Sequence, residues 1–163
     1  MSANSFPPAP AWSLHFSEAP NRGALRRLAA YPFSVAPSVT TPNLIALVDD
    51  DEAIREAMHD LLESVGIDSV AFESAEDFLV DSTRSAVTCI VLDINLPGMS
   101  GLDLQKILID AMPTLPILFL TSVDDPHARE RAMSCGAGGF LTKPVDSSQL
   151  LSGIRRLSGR IED

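Results

Sequence analysis

The sequence predicts an α/β domain built on a parallel sheet covered by helices on both faces. Three observations predict it. From Asn43 onward an apolar run, a turn and an amphipathic stretch recur five times. Two of the runs, VTCIVLD at 87–93 and PILFLT at 116–121, are almost unbroken in apolar character. Strands buried on both faces read this way. Gly, Pro, Ser and Asp stand at the joints, where chain direction must change.

The elements follow in order. The run LIALV predicts a first strand over 44–48, ending at Asp49, Asp50 and Asp51. A helix is expected over 52–65, closed by Gly66, because a helix commonly ends in a left-handed residue. The second strand is expected over 67–72. Ser74 with Asp77 three residues on marks an N-cap with an acidic first turn, hence a helix over 75–80. The third strand, 87–93, leads to a helix over 102–112, which Pro113 and Pro116 stop. The fourth strand is expected over 116–121. Asp125 then caps a helix over 126–135, with Pro126 at the first helical position and Gly136 after its end. A short strand over 139–142 and a helix over 147–157 complete the series.

Bulk properties narrow the function. An apolar fraction of 45% supports a packed core, and no apolar run is long enough to span a membrane. A formal charge of -10 argues against nucleic acid as the main partner. Cys89 and Cys135 lack metal-type spacing and are expected to be reduced, buried thiols of a cytoplasmic protein. Residues 1–42 differ in kind, with Arg22, Arg26 and Arg27 against Glu18 and prolines at intervals. They predict a disordered arm that adds no core. Residues 159–163 form a short tail after a domain at 43–158.

In open parallel sheets the ligand crevice lies beyond the carboxyl ends of the strands. Listed by strand, that edge receives Asp49, Asp50 and Asp51, then Asp93 and Asn95, then Thr121 and Ser122, then Lys143 and Pro144. Clustered carboxylates are stable near neutral pH when a hard divalent cation such as Mg²⁺ neutralises them. A carboxylate beside such an ion can act as a nucleophile on phosphorus. A threonine hydroxyl and a lysine ammonium can hold the other phosphoryl oxygens.

The pieces VDDD, VLDINLPGMSG, FLTS and GAGGFLTKP, in this order, resemble the receiver domain of two-component response regulators. LPGMSGLDL and AMSCGAGGFLTKP are most similar to the FixJ-like group. The resemblance covers roughly three-quarters of the chain and implies a flavodoxin-like (βα)5 sheet with strand order 2-1-3-4-5. It implies Asp93 as phosphoacceptor and Thr121 and Lys143 as phosphoryl contacts. Mg²⁺ is implied on Asp50, Asp93 and the main-chain carbonyl of Asn95, with Asp49 reaching it mainly through water. Asp51 is expected to be a solvated helix cap. Ser122 and Phe140 fall at the switch positions. Phe140 departs from the frequent Tyr there, which puts a phenolic switch in doubt but not burial of the ring.

Each residue also has a plainer reading. Asp50 alone could be an N-cap, worth about 1 kcal/mol, but that leaves two adjacent acids unexplained. An unpartnered carboxylate closing a buried strand would have a raised pKa, so Asp93 is harder to dismiss. Thr121 alone is a strand-end hydroxyl, and Lys143 alone is a surface cation. Gly98, Met99 and Gly101 read as a tight loop that lets the backbone approach the pocket. His59 and His127 are expected to face solvent.

The resemblance implies a histidine kinase or phosphotransfer protein as donor. With the last helix ending near Leu157, the expected output is a protein contact, a phosphorelay, or a homodimer through the face of helix four, strand five and helix five. Arg155, Arg156 and Arg160 stand at that end. Two rivals share some residues. A phosphatase of the haloacid dehalogenase type would need a second acid where Asn95 stands, and would place its acid pair after the nucleophile. A receiver-like scaffold would not need the full acidic set.

Overall fold

The computed structural model describes residues 43–122 and 125–159. The arm at 1–42, including His15, lies outside the described residues, as do Arg160 and the rest of the tail beyond Gly159.

Five strands form one parallel sheet: β1 (Leu44–Val48), β2 (Asp68–Phe72), β3 (Val87–Leu92), β4 (Ile117–Thr121) and β5 (Gly139–Thr142). The strand order is β2-β1-β3-β4-β5, and neighbours pair in parallel throughout. Order reverses beside β1, which opens a crevice between the ends of β1 and β3. The helices are α1 (Glu52–Ser64), α2 (Ala75–Val80), α3 (Gly101–Ala111), α4 (Pro126–Ser134) and α5 (Ser147–Leu157).

Alternation along the strands sorts the core into two layers. Ile45 and Leu47 of β1 pack with Met58 and Leu62 of α1 and with Leu150 and Ile154 of α5. Ala46 and Val48 face the other way, toward Phe78 of α2, Leu104 and Leu108 of α3, and Ala128 and Ala132 of α4. Each leucine fully buried in these layers contributes about 1.5–3 kcal/mol relative to exposure. Helices on both faces require strands that are apolar on both sides, and β4 is buried at every position.

The local signals act as the sequence predicts. Asp51 caps α1 by accepting from the N–H groups of Ala53 and Ile54, at 3.0 and 3.3 Å. Ser74 caps α2 through the Asp77 N–H at 3.1 Å, and Asp125 caps α4 through His127 N–H at 2.9 Å. Gly66 and Gly136 have φ of 72° and 83°, the left-handed conformation that closes α1 and α4. His59 and His127 are exposed.

Seven boundaries and one element differ, three of them because α1, α3 and α4 each end one residue early, at Ser64, Ala111 and Ser134. Ile67 is spent on the turn after α1, donating to Leu62 O at 2.9 Å, so β2 starts at Asp68. Strand β3 ends at Leu92, although Asp93 N–H still donates to Val48 O at 2.9 Å. Pro116 lacks an N–H and stands outside β4, yet its carbonyl accepts from Ile90 at 3.0 Å. Helix α3 starts at Gly101 because Ser100 is its cap, accepting from Asp103 N–H at 3.2 Å. A 3-10 turn at Ser82–Ala86, capped by Asp81, had no periodic signal in STRSA. Cys89 is buried as expected, but Cys135 is exposed, because it follows α4 at its solvent end.

Candidate functional site

The carboxyl edge gathers side chains from four loops. Asp49 follows β1 and is buried, at 1% exposure. Its N–H donates to Phe72 O at 3.2 Å, and its Oδ1 accepts from Asp51 N–H at 2.9 Å. Asp93 follows β3 and is buried too. Its Oδ1 accepts from Asn95 N–H at 3.0 Å. Asp50 is exposed, which is consistent with a carboxylate available to an incoming ion.

Carboxylate oxygens of Asp49, Asp50 and Asp93 lie within 4.8 Å of one another. Three acids so close repel strongly unless cations sit among them. The chain supplies one such cation to the carboxylates themselves. Lys143, at the end of β5, donates from Nζ to Asp49 Oδ2 at 2.5 Å and to Asp93 Oδ2 at 2.9 Å. Burial pulls the Lys143 ammonium toward neutrality, but its hydrogen bonds to Asp49 and Asp93, with their charges, outweigh this and raise its pKa. Asp49 has a raised pKa, chiefly from burial, which the Lys143 and Asp51 hydrogen bonds only partly offset. One ammonium among three acids leaves net negative charge, and the donor set is all oxygen. That set fits a hard divalent cation.

Thr121, at the end of β4, is buried, and its Oγ1 accepts from Asn95 Nδ2 at 3.3 Å. Its carbonyl accepts from Lys143 N–H at 2.8 Å, which ties the end of β5 to the end of β4. The Lys143–Pro144 peptide is cis. Asp50, Asn95 and Thr121 line one cleft between the β3–α3 loop and α4.

The two residues expected at switch positions are less closely gathered. Ser122 is exposed beside this edge. Phe140 is on β5, its ring centroid 6.2 Å from that of Phe119. Its ring is half-buried rather than buried as expected. It reaches the helix side of the strand, where the Arg129 guanidinium of α4 covers it at 5.4 Å from the centroid. Arg155 and Arg156 are exposed on α5, and Arg156 donates to Gly138 O at 3.3 Å.

Gly101 has a steric function. A Cβ there would lie 2.2 Å from the Asp93 carbonyl oxygen, so α3 can start against the Asp93 backbone only with glycine. Gly98, with φ of 75°, shapes the same loop. Two residues at this edge were not foreseen. Glu76 of α2 accepts from Met99 N–H at 2.9 Å and holds the β3–α3 loop. Arg55 of α1 donates to Asp49 O at 2.7 Å. Both act from a helix on a distant or adjacent backbone, and charge pattern alone does not reveal that.

Comparisons with known proteins bear on the whole arrangement. A family model described as response regulator receiver domain matches residues 45–155. The chain is similar to response regulator protein TodT of Pseudomonas putida, 40% identical over 113 residues, covering 69% of this chain and 50% of TodT. It is 35% identical over 116 residues to transcriptional regulatory protein FixJ of Azorhizobium caulinodans, covering 71% of this chain and 55% of FixJ. The chain spans about half the length of the curated relatives it matches. Its fold is similar to chemotaxis protein CheY4 of Vibrio cholerae, with a TM-score of 0.66, 26% identity, and 71% and 98% of the two chains covered.

Proposed function

The chain belongs to the response regulator receiver family, and we propose that it signals by accepting a phosphoryl group on Asp93 from the phosphohistidine of a histidine kinase or phosphotransfer protein. In this reading residues 43–158 are the receiver and 1–42 an appended arm. The observation that carries it is the double contact of Lys143 with Asp49 and Asp93 in a cluster that also includes Asp50.

The chemistry follows from that cluster. A carboxylate oxygen of Asp93 attacks phosphorus, and a P–O bond forms as the P–N bond to the donor histidine breaks. Negative charge concentrates on the phosphoryl oxygens, where the Lys143 ammonium and the Thr121 hydroxyl stabilise it. Asp50, Asp93 and the Asn95 carbonyl would hold Mg²⁺, with Asp49 reached through water. When bound, Mg²⁺ offsets the charge of the acids and of the phosphoryl group. The chain turns over no external substrate.

The added group carries about -1.5 to -2 charges and three strong acceptors. Thr121 and Lys143 are drawn to it, and the Ser122 loop follows. Phe140 leaves Arg129 and turns inward, which reshapes the face of α4, β5 and α5. That face meets a downstream protein or a second copy of the chain, in the cytoplasm. Among the described residues no helix is long and apolar enough to cross a membrane.

The test is incubation with Mg²⁺ and acetyl phosphate, followed by intact mass of the wild type and of Asp93→Ala. One phosphoryl adduct on the wild type and none on the variant supports the reading. Steady release of phosphate from a phosphomonoester supports the phosphatase instead. No adduct from acetyl phosphate or a kinase supports the scaffold.

A further inference from the structure

We propose that Arg55 is a positioning residue for the cation pocket: it holds the main-chain carbonyl of Asp49 and so sets where the Asp50 carboxylate points. This rests on the reading of Asp49, Asp50 and Asp93 as a divalent-cation site.

Arg55 stands among acids, with Asp49, Asp50, Asp51, Glu52 and Glu56 all close in sequence. A guanidinium in such company would be expected to pair with a carboxylate. Among the described residues the ion pairs belong to Lys106 and Lys143, and Arg55 has none. Its Nη1 donates instead to the neutral carbonyl of Asp49, at 2.7 Å. That is at the short end of the N–H···O range, as befits a charged donor.

The helix explains the reach. Arg55 N–H donates to Asp51 O at 3.1 Å, so Arg55 belongs to the first turn of α1. Side chains on a helix lean toward its N-terminus. From this position the half-buried stem of Arg55 lies back over the loop that joins β1 to α1.

The consequence falls on Asp50. Residue 49 is held at four points: its N–H by Phe72 O, its Oδ1 by Asp51 N–H, its Oδ2 by Lys143, and its carbonyl by Arg55. The last of these fixes the plane of the peptide between Asp49 and Asp50. That plane places the Asp50 nitrogen and Cα, from which its side chain departs. Asp50 is exposed, so burial does not hold its side chain in place. A preset carboxylate need not be ordered when the ion arrives.

A merely electrostatic role has the opposite sign. A positive charge beside the pocket repels a cation, so removing it would tighten Mg²⁺ binding, and salt would screen the change. The experiment is calorimetric titration of Mg²⁺ into wild type, Arg55→Met and Arg55→Lys, at about 0.1 M and about 0.5 M KCl. The expected result is about tenfold weaker binding by Arg55→Met, by a similar factor at both salt concentrations, with Arg55→Lys in between. If Arg55→Met does not fold by circular dichroism, Arg55→Lys carries the test, and weaker binding by that folded variant supports the inference. Tighter binding by Arg55→Met, or wild-type affinity in the folded variants, overturns the inference and leaves the pocket standing. No Mg²⁺ binding by the wild type overturns the pocket, and this inference with it.

Discussion

Lys143 and Asp93, 50 residues apart in the chain, meet with Nζ 2.9 Å from Oδ2. Their strands, β5 and β3, are separated by β4. The contact therefore exists only once β3, β4 and β5 lie side by side. Lys143 also reaches Asp49, so one ammonium offsets two buried carboxylates.

Replacing Lys143 by Met removes that ammonium and leaves Asp49 and Asp93 buried without it. Breaking a buried pair in this way costs about 3 kcal/mol. Urea unfolding without metal should show that loss. Millimolar Mg²⁺ should restore a large part of it, because the ion then supplies the missing positive charge. An equal loss with and without Mg²⁺ would mean that the ion does not occupy this cluster.

Asp50→Asn should do the reverse. Asp50 is exposed, and Asp51 rather than Asp50 caps α1. Stability without metal should change by no more than about 0.5 kcal/mol. Mg²⁺ affinity by calorimetry should fall at least about tenfold, since a direct carboxylate ligand is lost. Unchanged affinity would remove Asp50 from the ligand set.

Gly101→Ala places a methyl 2.2 Å from the Asp93 carbonyl oxygen and 3.0 Å from its carbon. Backbone atoms cannot swing aside as a flexible side chain can. A loss of about 2–3 kcal/mol is expected, together with reduced phosphoryl uptake from acetyl phosphate. Gly136→Ala is the control. It meets nothing within 4 Å, and its φ of 83° makes it strained only locally. It should cost about 1 kcal/mol and leave uptake unchanged.

The thiols should separate cleanly. Burial pushes the Cys89 thiol up to about 12, whereas Cys135 is exposed. An aromatic disulfide reagent at pH 8 should titrate one thiol in the native protein and both in denaturant. The sign for stability follows from linkage. The folded pKa is above the unfolded one, so this contribution is whole below about pH 9 and is lost as pH rises toward 12. Cys89→Ala should flatten the decline of the thermal midpoint over that alkaline window.

Much of this was legible in the sequence because the signals are local. Apolar runs gave the five strands, and Asp51, Ser74 and Asp125 gave helix starts through side-chain capping. The acids at the carboxyl edge were legible because a parallel sheet sends every strand end to the same rim. Ser100 with Asp103 repeats the pattern of Ser74 with Asp77, and would have placed the start of α3 one residue earlier. Other features were not local. Phe140 is half-buried on β5, which is an edge strand of the sheet, and strand order is not a local signal. The bonds of Arg55 and Glu76 to loop backbone depend on where a helix lies over a loop. The double contact of Lys143 depends on the spacing of three strands.

The most direct measurement locates the phosphoryl group itself. The protein is incubated with Mg²⁺ and acetyl phosphate, the acyl phosphate is reduced with borohydride, and the peptides are sequenced by mass spectrometry. Conversion of residue 93 to homoserine, absent when Mg²⁺ is chelated, is the expected result. Homoserine at another aspartate, or none in a sample whose intact mass shows the adduct, would contradict the assignment of Asp93.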